Sequence, residues 1–222
     1  MAVAPVAHCS LINNVRNLSN QLYWVVYEAG KALSVYKVQE GSLRVEKVEH
    51  TLSVFPELSL DGFPGAVIRS SLASSENLRW SALGFDTGHV FLSVYAIDTH
   101  IVYRKLIKFS GPISIVCFVS HRILNTPTLP SEESSPSNLH EERYLVVSSA
   151  LGPAAVWKCT FEGDTLSWNH EFILKQSEQF DAITSASVIG DLIAVATYSG
   201  KILFYSSNCD LLSHEITSLT QI

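Results

Sequence analysis

An all-β fold of the β-propeller class follows from three features of this chain: a recurring hairpin, two distinct strand patterns, and the near absence of helical periodicity. The hairpin recurs four times, each copy an apolar run, a turn with one glycine, and a second apolar run. The copies are Leu22–Tyr27 with Gly30 and Leu33–Tyr36, and Trp80–Phe85 with Gly88 and Val90–Leu92. The others are Tyr144–Val147 with Gly152 and Ala154–Trp157, and Leu192–Thr197 with Gly200 and Ile202–Tyr205. Their glycines lie 58, 64 and 48 residues apart. Units made only of strands and repeating at about that interval mark the blades of a propeller.

Each hairpin extends into a unit of four strands. The first unit reads Val3–Leu11, Leu22–Tyr27, Leu33–Val38 and Leu43–Val48, and the second Ala66–Leu72, Trp80–Phe85, Val90–Ile97 and Ile101–Phe109. The third reads Ile113–Ser120, Arg143–Ser149, Ala154–Phe161 and Leu166–Leu174, and the fourth Ile183–Ile189, Leu192–Thr197, Ile202–Ser206 and Leu211–Ile216. These predict a single partial propeller over 1–222, with approximate blades at 1–54, 66–109, 113–174 and 182–216.

Position within the unit sets the pattern. Middle strands such as Val90–Tyr95 are almost continuously apolar, which requires both faces to be buried, as in a blade held between two neighbours. Fourth strands alternate: Leu43, Val45 and Val48 are interleaved with Ser42, Arg44, Glu46 and Lys47, the pattern of a half-exposed edge whose charges discourage aggregation. Glycine at each hairpin turn supplies the positive φ that a tight turn between right-twisted strands demands. Leu151-Gly152-Pro153 is the least typical of these turns. No helix longer than two turns is expected.

Two segments interrupt the rhythm. Residues 122–142, with three prolines and the run Ser131-Glu132-Glu133-Ser134-Ser135, are expected to form a flexible insertion in the third unit, tolerated or phosphorylated. The excursion from Phe55 to Gly65 places apolar residues at turns. Phe55, Leu58 and Phe63 there, with Phe180, are the candidate partner contacts. The competing reading of each is packing against a neighbouring blade.

Composition narrows the function classes. Of 222 residues, 47% are hydrophobic and 16% charged, enough apolar surface for a core. The net charge of −6 and the absence of any basic cluster beyond Arg104, Lys105 and Lys108 argue against nucleic acid as a partner. Cys9, Cys117, Cys159 and Cys209 are scattered without a C-x-x-C, as free thiols in a reducing cytosol are. No signal peptide is recognisable, and no apolar stretch approaches the 18 or so residues of a transmembrane segment.

The residues offer no catalytic, cofactor-binding or metal site. None of the eight histidines has a partner at ligand spacing, and His170 is expected to face solvent on an outer strand. No G-x-S-x-G elbow, dinucleotide cradle or phosphate loop occurs. Glu132-Glu133 and Glu141-Glu142 fall in or beside the insertion, where no dry site could tune a carboxylate. The expectation is a non-enzymatic protein without cofactor. The remote alternative is a four-bladed ring with an unrecognised site.

Four separate segments, in order, carry a family resemblance. They are Val54-Phe55-Pro56-Glu57-Leu58, then Leu78–Gly84 with Gly88-His89-Val90, then Gly111-Pro112-Ile113-Ser114, and last Ser177–Asp181 followed by Val195–Tyr198. Together they resemble the kaptin family, specifically the middle half of such a chain. The resemblance implies a larger, seven-bladed ring of which these units form part. It implies a subunit of KICSTOR, a scaffold peripheral to the lysosomal surface that recruits the GATOR regulator and restrains TOR complex 1 when amino acids are scarce. The alternative it implies is an actin-filament-binding protein of lamellipodia and stereocilia. An acidic chain is an awkward ligand for acidic actin, so the scaffold role ranks first. Related chains carry an acidic, calcium-like stretch that is shortened here to Ile189-Gly190-Asp191, which weakens any metal role.

Overall fold

The computed structural model describes residues 9–16, 22–28, 32–39, 44–61, 63, 65–119, 140–174, 183–189, 192–205 and 211–216. Among them are sixteen strands in four antiparallel sheets, each a meander in which consecutive strands are neighbours. The protein is all-β, and the four-stranded meander is the blade topology of a propeller.

Two compact units divide the chain, Met1–Ile107 and Lys108–Ile222. The first holds sheet 1, with β1 (Cys9–Arg16), β2 (Leu22–Glu28), β3 (Ala32–Val38) and β4 (Val45–Lys47). It also holds sheet 2, with β5 (Val67–Ser74), β6 (Leu78–Phe85), β7 (His89–Ala96) and β8 (Ile101–Lys108), whose last residue meets the divide. Between the sheets lie a single helical turn, α1 (Thr51–Val54), and a 3₁₀ turn at Pro56–Leu58.

The second unit holds sheet 3, with β9 (Ile113–Val119), β10 (His140–Ser149), β11 (Ala155–Glu162) and β12 (Thr165–Ile173). Sheet 4 has β13 (Ile183–Ile189), β14 (Leu192–Thr197), β15 (Lys201–Tyr205) and β16 (Leu211–Ile216). Within each unit the first strand of one sheet lies beside the first strand of the other, β1 by β5 and β9 by β13.

Cores form where sheet faces meet. In unit 1, Tyr23, Val25, Tyr27 and Val35 of sheet 1 pack with Val67, Leu83, Phe85 and Phe91 of sheet 2. In unit 2, Ile115, Tyr144, Val146 and Val156 pack with Ile193, Val195, Leu203 and Tyr205. Full burial of each such large side chain contributes roughly 1.5–3 kcal/mol, which is why continuous apolar runs end up as middle strands. Strands β6 and β7 are buried along nearly their whole length, whereas β8 alternates between exposed and half-buried residues.

A bulge at the start of the first strand recurs in all four sheets, at Cys9/Leu11, Val67/Arg69, Ile113/Ile115 and Ile183/Ser185. In unit 2 a hydroxyl fills the gap in the ladder. Ser114 Oγ donates to the Ser148 carbonyl at 3.2 Å, and Thr184 Oγ1 to the Ala196 carbonyl at 3.2 Å. The extra residue sharpens local twist where each strand enters its sheet.

Several expectations need correction. Strand β1 runs on to Arg16 rather than ending at Leu11, because Arg16 must stand opposite Leu22 to pair the whole of β2. His140–Glu142 are not part of an insertion but the first residues of β10, paired with Glu162, Phe161 and Thr160. Glu141 and Glu142 are held there by Arg143 and Lys158, each at 2.6 Å. The remaining expected insertion, 122–139, lies outside the described residues. Gly88 and Gly200 adopt the expected positive φ of 81° and 82°, but Gly152 is not among the positive-φ glycines.

Gly65 and Gly163 separate two costs of a side chain at positive φ. At Gly65 (φ 121°) an added Cβ would lie 2.6 Å from Asp86 Oδ1, which accepts the Ala66 amide, and 2.8 Å from Thr87 Cγ2. At Gly163 (φ 57°) it would meet nothing within 4 Å. Gly163→Ala is therefore expected to cost about 1 kcal/mol of unfolding free energy in urea titration, the backbone term alone. Gly65→Ala is expected to cost about 2–3 kcal/mol, since the Asp86 clasp must open as well.

Candidate functional site

The sequence-predicted contact segment turns inward. Pro56 opens its 3₁₀ turn, where its missing N–H is no loss. Phe55 and Leu58 are buried in the core of unit 1, Phe55 meeting the edge of Tyr23 at 5.2 Å. Phe63 packs against Phe85 and Phe91 at ring distances of 5.6 and 4.0 Å. For Phe55 and Leu58 the expected partner contact is thus a core contact: the linker fills the space between two sheets, and its apolar residues are what fill it. Phe180 lies outside the described residues.

Two arginines from sheet 2 hold this segment by its backbone. Arg79, on β6, donates from Nη2 to the Val54 carbonyl and, at 3.1 Å, to Glu57 Oε2. Its Nε lies 2.9 Å from Glu57 Oε1, an ion pair in which the N–H is out of line for a hydrogen bond. The guanidinium sits 4.7 Å from the Phe55 ring centroid and 4.6 Å from that of Tyr95, a double cation–π stack. Register explains the placement, since Arg79 and Tyr95 are cross-strand partners. Arg104, on β8, donates to the Pro56 carbonyl at 3.2 Å and lies over Phe91. Ser81 Oγ donates to the Glu57 carbonyl at 3.4 Å.

Glu57 is the electrostatic centre of the segment, its side chain only 3% exposed. Loss of hydration pushes its carboxyl from 4.5 up to about 7, against the opposing pull of Arg79 and of hydrogen bonds. Burial also raises the Tyr27 phenol well beyond its ordinary range, with the Glu57 charge adding to the effect. The arrangement can take up a proton and bind a peptide backbone, but it is already occupied by the chain's own linker. Among the described residues, no group of three His, Cys, Asp or Glu is placed to hold a metal ion.

Among the described residues, the two most exposed large apolar side chains stand on turns of unit 2, which sequence reasoning took as purely structural. Leu151, in the β10–β11 turn, is 69% exposed, and Tyr198, in the equivalent β14–β15 turn, is 84% exposed. Both turns are held by local bonds. Gly152 N–H donates to the Ser149 carbonyl, Gly200 N–H to the Thr197 carbonyl, and Lys201 N–H to Thr197 Oγ1. Leu151 leans on the bare backbone of Gly111, where a Cβ would lie 2.9 Å from its Cγ. Apolar, outward-facing side chains on hydrogen-bonded turns are the raw material of a protein interface. The signal legible in sequence was a large apolar residue within two positions of the turn glycine, Leu151 before Gly152 and Tyr198 before Gly200.

Blade meanders with exposed, rigid turns define a propeller-type protein. A sequence model of the family described as KICSTOR complex protein kaptin matches residues 5–219, and the chain belongs to that family. Among solved structures, the crystal structure of the computationally designed Ika8 protein aligns with 87% of this chain and 46% of its own, at 14% identity and a TM-score of 0.45. The chain thus spans about half the length of that designed protein. No curated protein matches it.

The raised carboxyl of Glu57 has a definite sign in stability. Below pH 4.5 the group is protonated in both folded and unfolded chains, and above about 7 it is ionised in both. Between these values only the folded chain holds the proton, so this contribution is present at low pH and is lost as pH rises. Subtracting the pH profile of Glu57→Gln from that of the native chain isolates it. The difference is expected to fall by up to about 3 kcal/mol between pH 4.5 and 7.5. A flat difference in urea titrations across that range contradicts this reading.

Proposed function

We propose that this chain is a non-enzymatic docking module acting in KICSTOR. In this reading it binds other subunits of that complex, contributes to recruiting the GATOR regulator at the lysosomal surface, and thereby restrains TOR complex 1 when amino acids are scarce. Family membership over residues 5–219 carries the reading. The physical features agree with it. Four stiff meanders present fixed turns, and the exposed Leu151 and Tyr198 supply apolar anchors. No helix among the described residues is long and apolar enough to cross a membrane, which fits a peripheral role reached through protein partners. The mechanism is recruitment: prepositioned side chains lose little conformational freedom on binding, so their burial is converted efficiently into affinity.

The test is co-purification of the chain with KICSTOR subunits from cells, repeated after actin depolymerisation. Retention of those subunits in both conditions supports the scaffold role. Their absence, together with co-sedimentation of the purified chain with actin filaments, replaces it with a filament-binding role. Leu151→Asp and Tyr198→Ala are each expected to weaken subunit binding about ten-fold, corresponding to ~1–2 kcal/mol at a contact anchor. Their thermal midpoints are expected to match the native chain, since both side chains are exposed.

A further inference from the structure

The linker between sheets 1 and 2 meets them through two kinds of contact. Its ends are tied by backbone. Upstream, the Val48 N–H donates to the Val35 carbonyl of β3 at 2.8 Å, and downstream the Ala66 carbonyl accepts from the Asp86 N–H at 3.0 Å. Just inside each tie stands a residue at positive φ, His50 at 54° and Gly65 at 121°. Both turn the chain sharply, His50 against the preference of a residue that carries a Cβ.

Between these two points the ties are of the other kind. Among the described residues, the backbone–backbone hydrogen bonds of 50–59 stay inside the segment. Ser53 N–H donates to the His50 carbonyl, Phe55 N–H to Thr51, Leu58 N–H to Phe55 and Ser59 N–H to Pro56. Attachment to the sheets is made by side chains. Arg79, Arg104 and Ser81 hold three carbonyls, Arg79 also pairs with Glu57, and Phe55 and Leu58 pack in the core. A segment bonded to itself and hinged at both ends can leave its seat as a unit, with the ladders of both sheets intact.

The charged group at the middle of this segment is Glu57. Among the described residues, the titratable and charged groups around it come from both sheets. Sheet 2 supplies Arg79, which pairs with the carboxylate, Tyr95 beneath that guanidinium, and Arg104, which bonds to the Pro56 carbonyl. His100 lies next to these, bonded to the Tyr95 hydroxyl at 2.7 Å. Sheet 1 supplies Tyr23, packed on Phe55, and Tyr27, which burial keeps neutral. In the seat, loss of hydration places the Glu57 carboxyl at about 7, whereas in water it returns to 4.5.

We propose that residues 51–60 form a hinged strap, which opens as a unit from sheet 2 more often as Glu57 gives up its proton, while both sheets stay folded. The sign follows from the two states of the carboxyl. A seated Glu57 keeps its proton up to about 7 and a released one only up to 4.5, so proton binding favours the seat. Opening is therefore suppressed at the acid end of this window, grows as pH rises, and levels off above about 7. The ionised carboxylate still has Arg79, yet one guanidinium does not replace the lost hydration of a side chain only 3% exposed. Opening uncovers Arg79, Arg104, Phe91 and Tyr95 together. The strap thus makes access to a cationic, aromatic seat depend on pH close to neutrality.

Amide hydrogen exchange of the 222-residue chain, read residue by residue and corrected for the intrinsic effect of pH on exchange, tests this. The amides of Phe55, Leu58 and Ser59 report on the strap, and those of β6 and β7 on the sheets. At every pH the strap amides are expected to be about 100-fold less protected than the sheet amides, because a smaller opening exposes them. Their protection is expected to fall about 20-fold between pH 5.5 and 7.5. Glu57→Gln is expected to abolish that fall. Arg104→Met removes one carbonyl bond and keeps an apolar stem by Phe91, so it is expected to lower strap protection about ten-fold at every pH with the fall preserved. Strap amides as protected as those of the sheets overturn the inference, since the segment then leaves only with global unfolding. So does strap protection that is flat with pH in the native chain, or a fall that survives in Glu57→Gln.

Discussion

A four-stranded meander with apolar residues on both faces is not stable alone, because each uncovered face leaves several large side chains in water. Every other feature of this protein answers that constraint. Sheets 1 and 2 cover one another through Val25, Tyr27, Leu83, Phe85 and Phe91, and sheets 3 and 4 through Tyr144, Val146, Val195 and Tyr205. The recurring bulge in the first strand of each sheet adds the twist that lets such faces meet.

The linker between the first two sheets shows how polar groups are accommodated in such packing. Phe55, Leu58 and Phe63 behave as core residues, but a backbone turning inside a sheet interface carries carbonyls that β-strands cannot satisfy. Arg79 and Arg104 satisfy those of Val54 and Pro56, and Ser81 that of Glu57. An arginine is suited to this role because its planar guanidinium can stack on Phe55 and Tyr95 while donating in its own plane. Its charge then requires a buried counter-ion, which Glu57 provides. The partial neutralisation of Glu57 near neutral pH is the electrostatic consequence of making that pair in a nearly dry place.

Much of the fold was legible because burial on both faces leaves a continuous apolar run that side-chain periodicity cannot disguise. Strands β6, β7, β14 and β15 fall within a residue or two of the expected spans for this reason. Asn13, Asn14 and Arg16 concealed the later half of β1, since polar residues broke the run even though the backbone ladder continues to Arg16. His140–Glu142 were concealed in the same way, their charges being matched by Arg143 and Lys158 only once the strands are paired. The candidate site was less legible. Phe55 and Leu58 look like exposed turn residues until the sheets close over them, and Arg79 looks like an ordinary strand-surface arginine.

By itself, the sequence determined the class of fold, the number of hairpins and the family, because these rest on local patterning and ordered motifs repeated along the chain. Tertiary structure alone decided which apolar residues are inside. Solvent exposure belongs to a residue's neighbours rather than to its side chain, so Phe55 is buried while Tyr198, with comparable apolar bulk, stands in solvent. The pairing of Glu57 with an arginine 22 residues away exists only in three dimensions.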